Sequence, residues 1–188
     1  IFAGLVHACQ YCGPLDASIA AYERARRLDS NVRTSVCHAY WLSGDFEQAL
    51  ATDTGGSFMK LLVSIRRGQL AQVVDDLKRI GANPTSQYDR GWRLLLAVLE
   101  KDRAVFDAGF EAEAADLRDP EGMYYWTLEM LGRAVGRGWS CYQALAGEPW
   151  LDCVRSDPRF SRILRDAEAR HREAAAALIS ASGDRLLG

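Results

Sequence analysis

The stretch Gly44-Asp45-Phe46-Glu47-Gln48-Ala49-Leu50 decides how the rest of the chain is understood. A glycine opens a turn and a helix-forming run follows at once. The same succession stands at Gly13-Pro14-Leu15-Asp16 and at Gly68-Gln69-Leu70-Ala71, so the glycines are spaced by 31 and 24 residues. A fourth equivalent, Glu100-Lys101-Asp102-Arg103, follows 33 residues after Gly68 with Lys101 in the glycine's place. Self-similarity at a spacing of roughly 20 to 50 residues marks stacked structural units.

Apolar periodicity on either side of these turns is helical. Phe2, Leu5, Val6 and Cys9 fall at i, i+3, i+4 and i+7, one stripe of a 3.6-residue helix, and Val36, Cys37 and Tyr40 continue the scheme in the next unit. Ile19, Tyr22, Ala25 and Leu28 form a second stripe, ended by Asp29-Ser30-Asn31. Trp92, Leu95, Leu96 and Leu99 repeat it further on. No long run alternates with period two and β-branched residues do not cluster. The pattern predicts an all-α chain of short antiparallel helix pairs.

With these residues in view, Gly44 to Leu50 resembles the turn and second-helix start of a tetratricopeptide repeat. In that family a small residue five positions after the glycine lets the two helices approach, and Ala49 and Ser18 meet that requirement. Tyr22 and Ala25 fall at its aromatic and second small positions, and Ser30 stands where its Pro would be. Val73 and Phe106 depart from the first small position in the third and fourth units. The resemblance covers residues 1–145, in about four to five units. It implies an antiparallel helix-pair solenoid, a superhelix of the tetratricopeptide kind.

The C-terminal stretch carries a second resemblance. Gly138-Trp139-Ser140-Cys141-Tyr142, then Pro149-Trp150-Leu151-Asp152-Cys153-Val154-Arg155-Ser156-Asp157-Pro158-Arg159-Phe160, is similar to the end of a bacterial group. There, tetratricopeptide repeats follow a protein kinase, nucleotide cyclase or DNA-binding regulator domain. That group reads Pro-Trp-Leu-Asp-Pro-Leu-Arg, so Cys153 and Val154 are mild apolar departures. Asp157 can cap a helix with Pro158 at its first position and Phe160, Ile163 and Leu164 on its apolar face. Ala174 to Leu178 extend that helix into the cap a solenoid needs on its last open face. Residues 146–182 are thus expected as a capping segment and helix, and 183–188 as a tail.

The chain opens Ile1-Phe2-Ala3-Gly4-Leu5, with no Met and no capping residue, as expected of a piece of a longer protein. From Asp119 to Leu131 no turn interrupts the run. Either one helix continues through, or residues are missing between Thr127 and Leu128, which is the expectation here.

Composition narrows the function. With 188 residues, 23 basic and 25 acidic side chains and a net charge of −2, nothing favours nucleic acid or an anionic membrane. No apolar run reaches the roughly 20 residues of a membrane helix, and no signal peptide is evident. Among basic residues, 20 are Arg and 3 are Lys, a bias that fits a GC-rich bacterial coding sequence. The five cysteines (Cys9, Cys12, Cys37, Cys141 and Cys153) are an odd number and point to a reducing, cytoplasmic setting.

His7, Cys9, Cys12, Cys37 and His38 could assemble a metal or redox site. Against that, Cys9 and Cys37 hold core positions, and the CxxC ends a helix rather than opening one. No cofactor is expected. His7 and His38 occupy the same place in consecutive first helices, with Gln10 and Trp41 three residues later. Together with Thr34 and Tyr88 they form the candidate partner-contact face, since first helices line the concave wall of such solenoids. An ordinary solvated face is the alternative. The family's clamp for a C-terminal carboxylate uses Asn and Lys or Arg, where this chain has Ala3, His7, His38 and Phe58; that specificity is not expected.

Tyr124, Tyr125, Trp126, Trp139, Tyr142 and Trp150 are expected mainly in packing. The charged runs Arg24 to Arg27 and Arg165 to Glu173 are mixed in sign, as solvated helix faces are. Thr54-Gly55-Gly56-Ser57 lacks the Lys of a phosphate loop, and no GxSxG or HExxH occurs. The expectation is a non-catalytic module that binds a protein or peptide partner, including its own upstream domain. A small-ligand or metal sensor, or a self-associating solenoid, is the alternative.

Overall fold

The computed structural model describes residues 1–54, 57–82, 89–100, 102, 104–105 and 128–187. Helices follow one another as α1 (Phe2–Cys12), α2 (Leu15–Leu28), α3 (Val36–Leu42), α4 (Phe46–Thr52), α5 (Ser57–Arg66), α6 (Leu70–Ala82) and α7 (Asp89–Glu100). After these come α8 (Leu128–Gly136), α9 (Tyr142–Gly147), a 3-10 turn over Pro149–Val154, α10 (Pro158–Ser180) and α11 (Gly183–Leu187). Among the described residues there is no strand, and no helix is long and apolar enough to cross a membrane. The all-α class is as the periodicity predicts.

The turns explain the glycines. Gly44, Gly68 and Gly138 have φ of 84°, 73° and 107°, left-handed values that a Cβ disfavours. In each turn the glycine N–H returns to the carbonyl three residues back, at 2.9–3.1 Å, and the next N–H to the carbonyl five back, at 2.9–3.0 Å. That double closure satisfies carbonyls a helix C-terminus otherwise leaves open. Gly13, at φ 102°, closes differently, with its N–H on Cys9 O at 2.8 Å. The reason is Pro14, which has no N–H to supply the longer bond.

Asp102 N–H reaches Ala97 O at 2.8 Å, the five-back bond of the other turns. Its carboxylate accepts from Val105 N–H, as that of Asp45 accepts from Gln48 N–H, both at 3.1 Å. Asp102 therefore does at its turn what Asp45 does at its own.

Two compact units divide the chain: Ile1–Met59 with Asp119–Gly188, and Lys60–Arg118. In the first, α1 and α2 pair closely because Ser18 is fully buried and its Oγ donates to Val6 O at 2.7 Å. Val6, Ala21, Val36 and Leu187 form a buried cluster, with Phe2, Leu5, Ile19, Tyr22 and Tyr40 packed on it. Leu28 is the exception in its stripe; it ends α2 and is 73% exposed. Ala49 is fully buried on α4.

In the second unit, Leu61, Val73 and Leu77 form a buried cluster, with Ile65, Leu95, Leu96 and Leu99 against it. Val73 is fully buried, so the larger residue at that small position is accommodated. Phe106 lies outside the described residues, as does the unbroken run from Asp119 to Thr127.

The C-terminal motif is an assembly of caps. Arg155 Nη2 donates to Glu148 O at 2.8 Å, and its Nε pairs with Asp152 at 2.5 Å, so its guanidinium serves the C-terminal end of α9. It also stands 5.9 Å from the ring centroid of Phe160, which is 2% exposed. Asp157 caps α10, accepting from Arg159 N–H at 2.8 Å, with Pro158 in the first turn.

The path of the closing elements goes beyond the sequence expectation. α10 packs on α8 and α9 but also on α1, while α11 packs on α2. The stretch expected as a tail thus forms a helix, and its Leu187 is 6% exposed beside Val6 and Ala21.

Candidate partner-binding face

His7 and Gln10 lie one turn apart on α1, and Ser35 stands at the start of α3. Ser35 Oγ donates to Gln10 Oε1 at 2.7 Å and lies 2.9 Å from His7 Nδ1. A serine has one proton to give. With that proton on Gln10, the hydrogen between Ser35 and His7 belongs to the imidazole Nδ1. This use of the hydroxyl also explains why Ser35 makes no side-chain bond to cap α3.

The relay fixes one exposed imidazole. His7 is exposed and meets the Tyr11 ring edge-on at 6.5 Å, whereas Gln10 is fully buried beneath it. Thr34, next in chain to Ser35, is half-buried and accepts a long bond from Val36 N–H at 3.4 Å. His38 is half-buried, its ring 5.9 Å from that of Phe58. Trp41 is 3% exposed and packs in the interior. Of the six expected contact residues, His7, Thr34 and His38 retain accessible surface, Gln10 and Trp41 are buried, and Tyr88 lies outside the described residues.

Four of the five cysteines have described side chains. Cys9, Cys37 and Cys141 are buried, Cys12 is half-buried, and all four are free thiols. Burial pushes the Cys9 and Cys12 thiols up from their ordinary range, and for Cys9 the neighbouring Cys12 adds to this. A reactive CxxC needs the opposite shift. Among the described residues no group of three or more His, Cys, Asp or Glu is placed to hold a metal ion.

Two residues escaped the sequence reading. Ser35 reads as an ordinary helix start, and nothing local shows that its hydroxyl serves α1 instead. His171 lies in a mixed-charge run that otherwise behaves as a solvated face, with Arg165, Arg170 and Arg172 exposed. His171 itself is half-buried; its Nδ1 donates to Cys12 O at 2.8 Å, and its Nε2 lies 3.3 Å from Gln143 Nε2. Its ring stacks near that of Tyr142 at 6.4 Å. Among the aromatics, Trp139 is 1% exposed, as packing requires, and Tyr124, Tyr125 and Trp126 lie outside the described residues. No protein-family model matches the chain, and no curated protein or solved structure is significantly similar to it.

Proposed function

We propose that the chain is a non-catalytic protein-interaction module of the tetratricopeptide kind. It holds a partner peptide along the face carrying His7, Thr34 and His38. The observation that carries this reading is the Ser35 relay, which orients an exposed imidazole before any partner arrives. A polar group fixed in advance sets register without an ordering cost at binding. Apolar contact would come from the His38–Phe58 pair. In this reading the module lies C-terminal to a bacterial cytoplasmic signalling or regulatory domain, and that domain is one of the partners it can hold.

Panning a displayed peptide library against the chain and against His7→Ala/His38→Ala tests the reading. Peptides enriched on the wild type should bind the double variant about tenfold more weakly or worse, a loss of about 1.4 kcal/mol. Helicity and Tm should stay nearly unchanged. Equal binding to both proteins removes His7 and His38 from the site. Trp41→Ala is the wrong probe, because emptying a buried Trp costs about 3–5 kcal/mol of stability and confounds binding with unfolding.

A further inference from the structure

The two helices that carry His7 and His38 are unlike the rest of the chain in composition. Asp, Glu, Lys and Arg make up 26% of all residues, yet the 11 residues of α1 and the 7 of α3 include none. Besides the two imidazoles, their ionisable groups are thiols and phenols (Cys9, Cys12 and Cys37, Tyr11 and Tyr40). Such groups are largely neutral below about pH 8, and burial pushes Cys9, Cys12 and Tyr40 further up. His7 and His38 therefore set the charge that α1 and α3 offer. Ser35 brings the two together. Its Oγ is 2.9 Å from His7 Nδ1, and its backbone carbonyl accepts the N–H of His38, three residues on, at 2.9 Å. Residues three apart on a helix share a side. Since His7 Nδ1 already carries the hydrogen of the Ser35 contact, a second proton enters at Nε2. The imidazolium keeps the Ser35 bond and gains a donor and a positive charge.

Fixed charges on the elements packed against α1 and α3 are engaged on other sides of these helices. Arg24 of α2 stands over the Phe2 ring at 5.9 Å. Glu23, Asp45 and Arg26 act electrostatically on the Tyr40 hydroxyl. At about 100° per residue, Phe2 lies about 140° around α1 from His7, and Tyr40 about 160° around α3 from His38. α10 meets α1 at its last turn, where His171 bonds Cys12 O, and Asp16 lines the recess beside His171. On α4, Glu47 is exposed. From the last turn of α2 to Ser35 the chain carries Arg27, Asp29 and Arg33, which sum to one positive charge.

We infer that the partner is an acidic peptide segment, held by its Asp or Glu side chains on the protonated imidazoles of His7 and His38. Capture therefore strengthens as pH falls from about 8 to about 5.5. The inference rests on the reading of this face as the partner-binding one. Partner carboxylates stay ionised throughout that range, with ordinary values near 4, whereas imidazoles take up their proton between about pH 5 and 8. Charge thus develops on α1 and α3 alone, opposite a partner that already carries the other sign.

Panning a random displayed peptide library on the chain at about pH 5.5, with elution by a step to about pH 8, tests this. Eluted peptides should be richer in Asp and Glu than the input library. One of them, labelled with fluorescein, should bind about threefold or more tightly at the lower pH by anisotropy. Its counterpart with Asn and Gln for Asp and Glu should bind equally at both. His7→Gln/His38→Gln should abolish the pH dependence while circular dichroism keeps its helical signal. If that variant loses helicity, His7→Gln alone carries the comparison and should reduce the dependence. His171→Gln, at the one other histidine of the chain, should keep it. Eluted peptides no more acidic than the input overturn the inference, as does a pH dependence that survives in the His7/His38 variant or vanishes in His171→Gln. Peptides that bind equally at both pH values, yet are lost by His7→Ala/His38→Ala, overturn the acidic partner and leave the face as the partner site. A library from which nothing is captured at either pH overturns both.

Discussion

Gly13 and Gly44 hold the same kind of backbone in different surroundings. Both have positive φ, 102° and 84°, yet a Cβ at Gly44 meets nothing within 4 Å, whereas at Gly13 it strikes His171. Gly44→Ala should therefore cost roughly 1–2 kcal/mol, the penalty of a left-handed L-residue alone. Gly13→Ala should cost more, because His171 loses its seat against Cys12 O as well. Urea denaturation of the two variants measures the difference. Equal losses would mean that His171 moves aside freely. The glycines were legible in the sequence because a helix-ending turn imposes its own φ. His171 was not, because its partner is 159 residues away and its neighbours are ordinary surface charges.

Helices and their ends form the next scale. Ser18 and Ala49 are fully buried where the tetratricopeptide resemblance implies small residues, and in the α1–α2 pair the Ser18 hydroxyl reaches the backbone of α1 itself. At the far end, the Arg155 and Asp157 of the C-terminal motif close α9 and open α10. The side chain and then the backbone N–H of Arg159 bond the Asp157 carboxylate, which holds its carboxyl below the ordinary value. On acidification the unfolded chain takes up this proton first. The contribution of Asp157 is thus whole above the ordinary carboxylate pKa and is lost as pH falls through the lower folded value. Asp157→Asn should lower the urea midpoint near neutral pH, and the gap to wild type should shrink below about pH 4. A gap independent of pH would assign the cap no electrostatic part. Caps of this kind are legible because donor and acceptor sit within a few residues of each other.

For the molecule as a whole, each of the two compact units has a buried apolar cluster among its described residues. Leu61, Val73 and Leu77 hold the second unit, and Val6, Ala21, Val36 and Leu187 belong to the first. Leu77→Ala should cost about 2–5 kcal/mol within its unit. Hydrogen exchange should then accelerate across residues 61–100 and leave α1 and α2 protected; equal acceleration in both would mean that the units unfold as one. Local sequence determined the helices, their turns at Gly13, Gly44 and Gly68, the caps, and the small residues that let helices pair. Each of these depends on residues a few positions apart, whose spacing is written directly in the chain. Tertiary structure alone decided that Gln10 and Trp41 are buried while His7 stays exposed. It alone brought Ser35 to α1, His171 to Cys12 and Leu187 to Val6. Amphipathic helices advertise that they have an apolar side but not which helix will cover it, because many pairings bury similar surface. Only the assembled fold selects among them.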